Sequence, residues 1–77
     1  MIPKHKFVEK NLKMLRTLTK EGYISHTLLM NYNIYKHYMG IKDNSKMNRY
    51  KTVANETGHS ARKVRLAVAE MKKYVID

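Results

Sequence analysis

Apolar residues recur along this chain three and four positions apart, and no segment shows the strict alternation of a half-buried strand. Four helices are expected. The first covers residues 4–21. Phe7, Val8, Leu12, Met14, Leu15 and Leu18 share one broad face, and Lys6, Glu9, Lys10, Lys13, Arg16 and Lys20 share the other. Pro3 suits a helix start, where its missing N–H costs nothing, and Gly22 is placed to end the helix. The second helix covers residues 25–39, with Ser25 as its expected N-cap. It carries two apolar stripes: Leu28, Tyr32, Tyr35 and Met39, and, nearly opposite, Met30, Ile34 and Tyr38. A helix apolar on two sides is either sandwiched between neighbours or turns one face to another chain. Gly40 ends it, and Lys42, Asp43, Asn44 and Ser45 form a polar loop.

The third helix runs over residues 45–57 with Met47, Tyr50, Val53 and Ala54 inward. The fourth starts after Ser60 and reaches Val75, with Val64, Ala67, Val68, Met71 and Val75 as its inner stripe. No hairpin signal follows Val75, so neither strands nor a wing are expected. The pattern predicts an all-α single domain over residues 1–77, in which residues 1–44 support a helical pair at residues 45–77.

Size narrows the range of functions. A chain of 77 residues builds one small core and has little material left for a deep catalytic cleft. Sixteen Lys and Arg oppose six Asp and Glu, a formal charge of +10. A field this positive attracts polyanions, nucleic acid foremost, with anionic membrane surfaces and acidic proteins behind. Residues 1–45 and 46–77 each hold eight basic and three acidic residues, so the charge belongs to the whole domain and not to a tail. The absence of cysteine excludes disulfides, thiolate metal sites and cysteine nucleophiles. No apolar run approaches the roughly 20 residues of a membrane span, and no apolar signal core follows the N-terminus. The expectation is a cytoplasmic, nucleoid-associated protein.

Residues 50–69 are the most informative segment. Val53 anchors one helix to the core. Ala54 is small where a second helix crosses close by. Gly58 permits the left-handed backbone of a tight turn. Ser60 caps the next helix, and Val64 and Val68 turn inward. Val53, Ala54, Thr57, Gly58, Ser60, Val64 and Arg65 together resemble the helix-turn-helix superfamily of bacterial and phage DNA-binding proteins, and most closely small regulators of phages and mobile elements. One position departs. The residue between Gly58 and Ser60 is usually a buried aliphatic in that superfamily and is His59 here.

The resemblance implies that the second helix of the pair lies in the major groove and that its first residues reach base edges. Its outer face would be Arg62, Leu66, Ala69 and Lys73, flanked by Lys63 and Arg65. Arg62 and Arg65 are then the base readers. Leu66 would meet a thymine methyl, and His59, Ser60 and Ala61 would lie at the entry. Arg49, Lys51 and Thr52 would touch phosphates, which position a protein without reading sequence. The function implied is duplex DNA binding, as a transcriptional regulator or accessory protein. Rival readings are a basic module docking an acidic protein, and a binder of structured RNA.

Other chemistry is sparse. No two of His5, His26, His37 and His59 stand four apart, and no acid accompanies them in a ligand pattern, so no metal site is expected. The scattered carboxylates supply no matched acid–base pair, and an enzyme or a cofactor is not expected. The six tyrosines fit core packing with hydroxyls at the surface better than a base-stacking platform. A single helical pair offers a small footprint on DNA, so a homodimer is expected, with Met30, Ile34 and Tyr38 as its contact.

Overall fold

The computed structural model describes residues 1–76; Asp77 lies outside them. The protein is mostly helical, as the periodicity predicts. In chain order its elements are β1 (Ile2–Pro3), α1 (Lys4–Lys10), α2 (Leu12–Lys20), α3 (Thr27–Gly40), α4 (Lys46–Thr57), α5 (Ala61–Lys72) and β2 (Tyr74–Val75).

The expected first helix is two helices. Asn11 sits between them with φ −116° and ψ 20°, outside helical geometry. Its side-chain Nδ2 donates to the Phe7 carbonyl at 2.9 Å, which competes with the backbone for the acceptor a continuous helix would use. The exposed face is as expected: Lys6, Glu9, Lys10, Lys13, Arg16 and Lys20 all face solvent. The end of α2 is also as expected. Gly22 takes φ +83°, its N–H donates to Thr19, and the Tyr23 N–H donates to Leu18. This pair of bonds is the Schellman closure, which satisfies two of the helix's last carbonyls.

α3 is the central element. Ser25 does not cap it; His26 occupies the cap position in helical geometry, with no side-chain bond. Of the two alternatives for its double apolar surface, the sandwich is the one realised. Tyr32 and Tyr35 turn toward α1: the Tyr32 hydroxyl donates to Glu9 at 3.2 Å, and the Tyr35 ring stacks on His5 at 4.7 Å between centroids. Ile34 and Tyr38 are each 1% exposed and belong to the core. They are therefore not a free face for a second chain, which corrects the expected dimer contact; only Met30 of that stripe remains partly accessible. Val8, Leu15, Val53, Val64, Ala67, Val68 and Met71 complete the core. Full burial of side chains this size contributes about 1.5–3 kcal/mol each. Met14, Met39 and Met47, expected inward, are exposed instead. Met14 and Met47 stand at the edges of their apolar stripes and Met39 at the end of its own, where an unbranched side chain can turn outward at little cost.

α5 stops at Lys72, three residues short of its expected end. Tyr74 and Val75 leave the helix and pair antiparallel with Ile2 and Pro3, in the register Ile2↔Val75 and Pro3↔Tyr74. The Lys4 N–H donates to the Lys73 carbonyl at 2.6 Å, and the Lys4 ammonium binds Glu70. These contacts tie the two ends of the chain together. No strand was expected here because each strand is two residues long and its partner lies more than 70 positions away.

Two stability predictions follow from this packing. Ile34→Ala leaves a cavity beneath α3 and lowers unfolding free energy by about 2–5 kcal/mol in urea titrations. Hydrogen bonds from Lys4 and Lys73 hold the Glu70 carboxyl below the ordinary glutamate range. Burial opposes that direction at Glu9, but hydrogen bonds from Tyr32 and Lys36 prevail and lower it as well. A depressed carboxyl stabilises the fold above the ordinary glutamate range and loses that contribution as pH falls through its folded value. The urea midpoint therefore drops on acidification below about pH 5, and Glu70→Gln makes the drop shallower.

Candidate nucleic-acid interface

Two helices of equal length, α4 and α5, are joined by Gly58, His59 and Ser60. Each junction in this unit has a local cause. The Ser45 hydroxyl accepts the Asn48 N–H at 3.3 Å and caps α4, which begins at Lys46, one residue after the expected start. Gly58 closes α4 at φ +76°, with its N–H on Ala54, and no atom lies within 4 Å of the place a Cβ would occupy. The requirement for glycine is therefore conformational and not steric. The Ser60 hydroxyl accepts the Lys63 N–H at 3.1 Å and opens α5. Val64, Ala67, Val68 and Met71 then bury one face of α5 completely, against α3 and α4.

Burial of that face fixes what the opposite face presents. Arg62, Arg65, Leu66 and Ala69 are exposed, and Leu66 keeps 53% of its surface accessible. Arg62 and Arg65 form no ion pair or hydrogen bond among the described residues, and both guanidinium groups face solvent. Lys63 and Ala61 are half-buried beside them, Ser60 is exposed at the helix start, and Lys51 is exposed on α4 with Thr52 half-buried behind it. Arg62, Arg65 and Ala61 also line a shallow groove of about 190 Å³ with Met47 and Tyr50 of α4. Met47 is 58% exposed, so an apolar side chain stands next to the two arginines. It went unrecognised as a surface residue because its spacing places it on the inner stripe of α4.

Two expected contacts are placed elsewhere. Arg49 is turned inward. Its guanidinium carbon lies 3.8 Å from the centre of the Tyr38 ring, its Nη2 donates to the Tyr38 carbonyl at 3.1 Å, and Tyr38 in turn stacks on Tyr50 at 5.4 Å. This arginine fastens α4 to the end of α3 and is not available to a phosphate. Lys73 lies beyond the end of α5, not on its outer face, and its ammonium is 3.0 Å from Glu70.

His59 is half-buried and lines a separate groove of about 400 Å³ against α3, together with His26, Met30, Asn33 and His37. The His59 imidazole thus borders an open groove and is not packed into the core. Among the described residues no three His, Asp or Glu side chains group into a metal site. No helix of the described residues is long and apolar enough to cross a membrane. No protein-family model, curated protein or solved structure matches the chain.

The two classes of arginine separate in a stability measurement. Arg49→Ala removes a ring contact and a charge-assisted hydrogen bond and costs about 1–3 kcal/mol. Arg49→Lys recovers only part, because an ammonium lacks the planar fork. Arg62→Ala and Arg65→Ala stay within about 0.5 kcal/mol of the parent in the same urea titrations.

Proposed function

We propose that the chain binds duplex DNA, with α4, the Gly58 turn and α5 acting as a helix-turn-helix and α5 entering the major groove. The observation that carries this reading is the outer face of α5: two uncommitted arginines and an exposed leucine on a helix whose other face is locked into the core. Free guanidinium groups on a rigid helix suit bidentate bonding to guanine O6 and N7. Arg62 and Arg65 are the base readers. Leu66 and Met47 offer apolar contact to a thymine methyl beside them. Lys51, on the exposed side of α4, contacts phosphate, and the chain's +10 charge draws it to DNA over distance. The biological role consistent with this chemistry is a transcriptional regulator or a DNA-associated accessory protein.

Binding to random duplex DNA across a salt series, followed by selection of bound sequences, tests the proposal. Affinity falls steeply with salt, and one motif is enriched. Arg62→Ala or Arg65→Ala relaxes preference at one base position by about 1–3 kcal/mol of discrimination. Lys51→Ala weakens all sequences alike and lowers the salt slope by about one. Absence of duplex binding at low salt overturns the proposal, whether or not the protein then binds structured RNA or an acidic protein.

A further inference from the structure

Three of the four histidines meet at one groove. His26, Met30, Asn33 and His37 follow one another along α3 at spacings of four, three and four, and His59 closes the far side from the turn before α5. The buried Ile34 forms part of the floor. On α3 the spacing is that of a helix–helix seam, in which side chains three and four apart line one edge of contact. At one end of the seam Glu56 Oε1 lies 3.6 Å from His37 Nδ1, both side chains half-exposed.

The groove differs from its surroundings in charge. No Lys or Arg lines it. Four other grooves of the described surface each include at least one: Lys10 and Lys13 in the first, Lys36 in the second, Arg62 and Arg65 in the third, and Lys6 and Lys36 in the fourth. Lys36 is next to His37 in sequence, yet its ammonium is turned toward Glu9 of α1 at 3.5 Å. A chain of charge +10 repels its own copies wherever cationic side chains would meet. A face cleared of them is one on which a second copy can rest, whereas an acidic partner or a nucleic acid would favour the cationic grooves.

We infer that this groove is the seat of a second copy of the chain, forming a two-fold homodimer through the His26–Met30–Asn33–His37 seam. In an isologous pair the same patch is used twice. Antiparallel α3 helices crossing between Met30 and Asn33 set His26 against His37 of the second copy, and Met30 against Asn33 of the second copy. The flexible Met30 side chain fills the groove opposite it. The seam spans only about 16 Å of helix, so the interface is at the small end of specific contacts and the dimer is weak. This inference does not depend on DNA binding.

Sedimentation equilibrium without DNA, at protein concentrations up to about 200 µM, tests it, since weak interfaces of this size dissociate at lower concentrations. The parent chain sediments as a reversible dimer. Met30→Lys places two like charges at the two-fold and raises the dissociation constant tenfold or more. His26→Lys, at an exposed position where folding is indifferent to the change, does the same. Circular dichroism of each variant matches the parent. Mixing Met30→Lys with Asn33→Glu copies recovers a mixed dimer. A parent chain that remains monomeric overturns the inference, and so does an undiminished dimer in folded His26→Lys.

Discussion

The structure depends on α3 being buried on two sides. Its aromatic and aliphatic residues do not share one stripe, so no single neighbour can cover them. Tyr32 and Tyr35 need α1, while Ile34 and Tyr38 need α4 and α5. A chain of this size buries a limited fraction of its surface and is marginally stable. A central helix that feeds both halves of the molecule into one core is an effective use of few residues. The tyrosines suit the task because each contributes a large apolar ring and a polar tip. Tyr32 shows this most clearly, with its ring in the core and its hydroxyl on Glu9. Burial, reinforced by the Glu9 charge, raises the pKa of Tyr32 and Tyr35 above the ordinary phenol range, so both remain neutral, and the Tyr32 hydroxyl donates to Glu9.

Arg49 extends this arrangement to α4. It lies over Tyr38 and bonds the carbonyl of the same residue, so one side chain reads both the ring and the backbone at the end of α3. That contact joins the start of α4 to the end of α3, alongside the buried Val53. α5 is then determined by α4 through a three-residue connection and by its own buried stripe. The exposed arginines of α5 are thus carried on a helix whose opposite face is buried in the core. The ends of the chain add a second restraint. The Ile2–Pro3 and Tyr74–Val75 pair and the Lys4–Glu70 contact hold Tyr74 and Val75 against α1.

Charge is distributed with similar economy. Glu9 and Glu70 each serve more than one cation, so two of the few acids neutralise lysines on α1, α3 and the end of α5. Arg62 and Arg65 are left out of this pairing. The outer face of α5 therefore keeps its two arginine charges unneutralised, while no Lys or Arg lines the groove beside His26 and His37.

Much of the fold was legible in the sequence where the cause is local. Ser45, Gly58 and Ser60 act through hydrogen bonds and dihedral preferences within a few residues, and all three do what their chemistry dictates. The inner stripe of α5 was legible because one neighbour covers one face of a regular helix. Periodicity also located the double apolar surface of α3, and it located the exposed arginines as the complement of the buried stripe. What it could not decide is which partner meets which face. Ile34 and Tyr38 look free in a sequence and are the centre of a core in three dimensions. Arg49 looks like a surface cation until the ring of Tyr38 arrives beneath it. The strand pair joins residues at opposite ends of the chain, and His26, His37 and His59 converge only because the turn folds back on α3. Local propensity is written in neighbouring residues and survives in isolation. The pairing of distant faces depends on the total burial that the folded chain achieves, and only the tertiary structure expresses it.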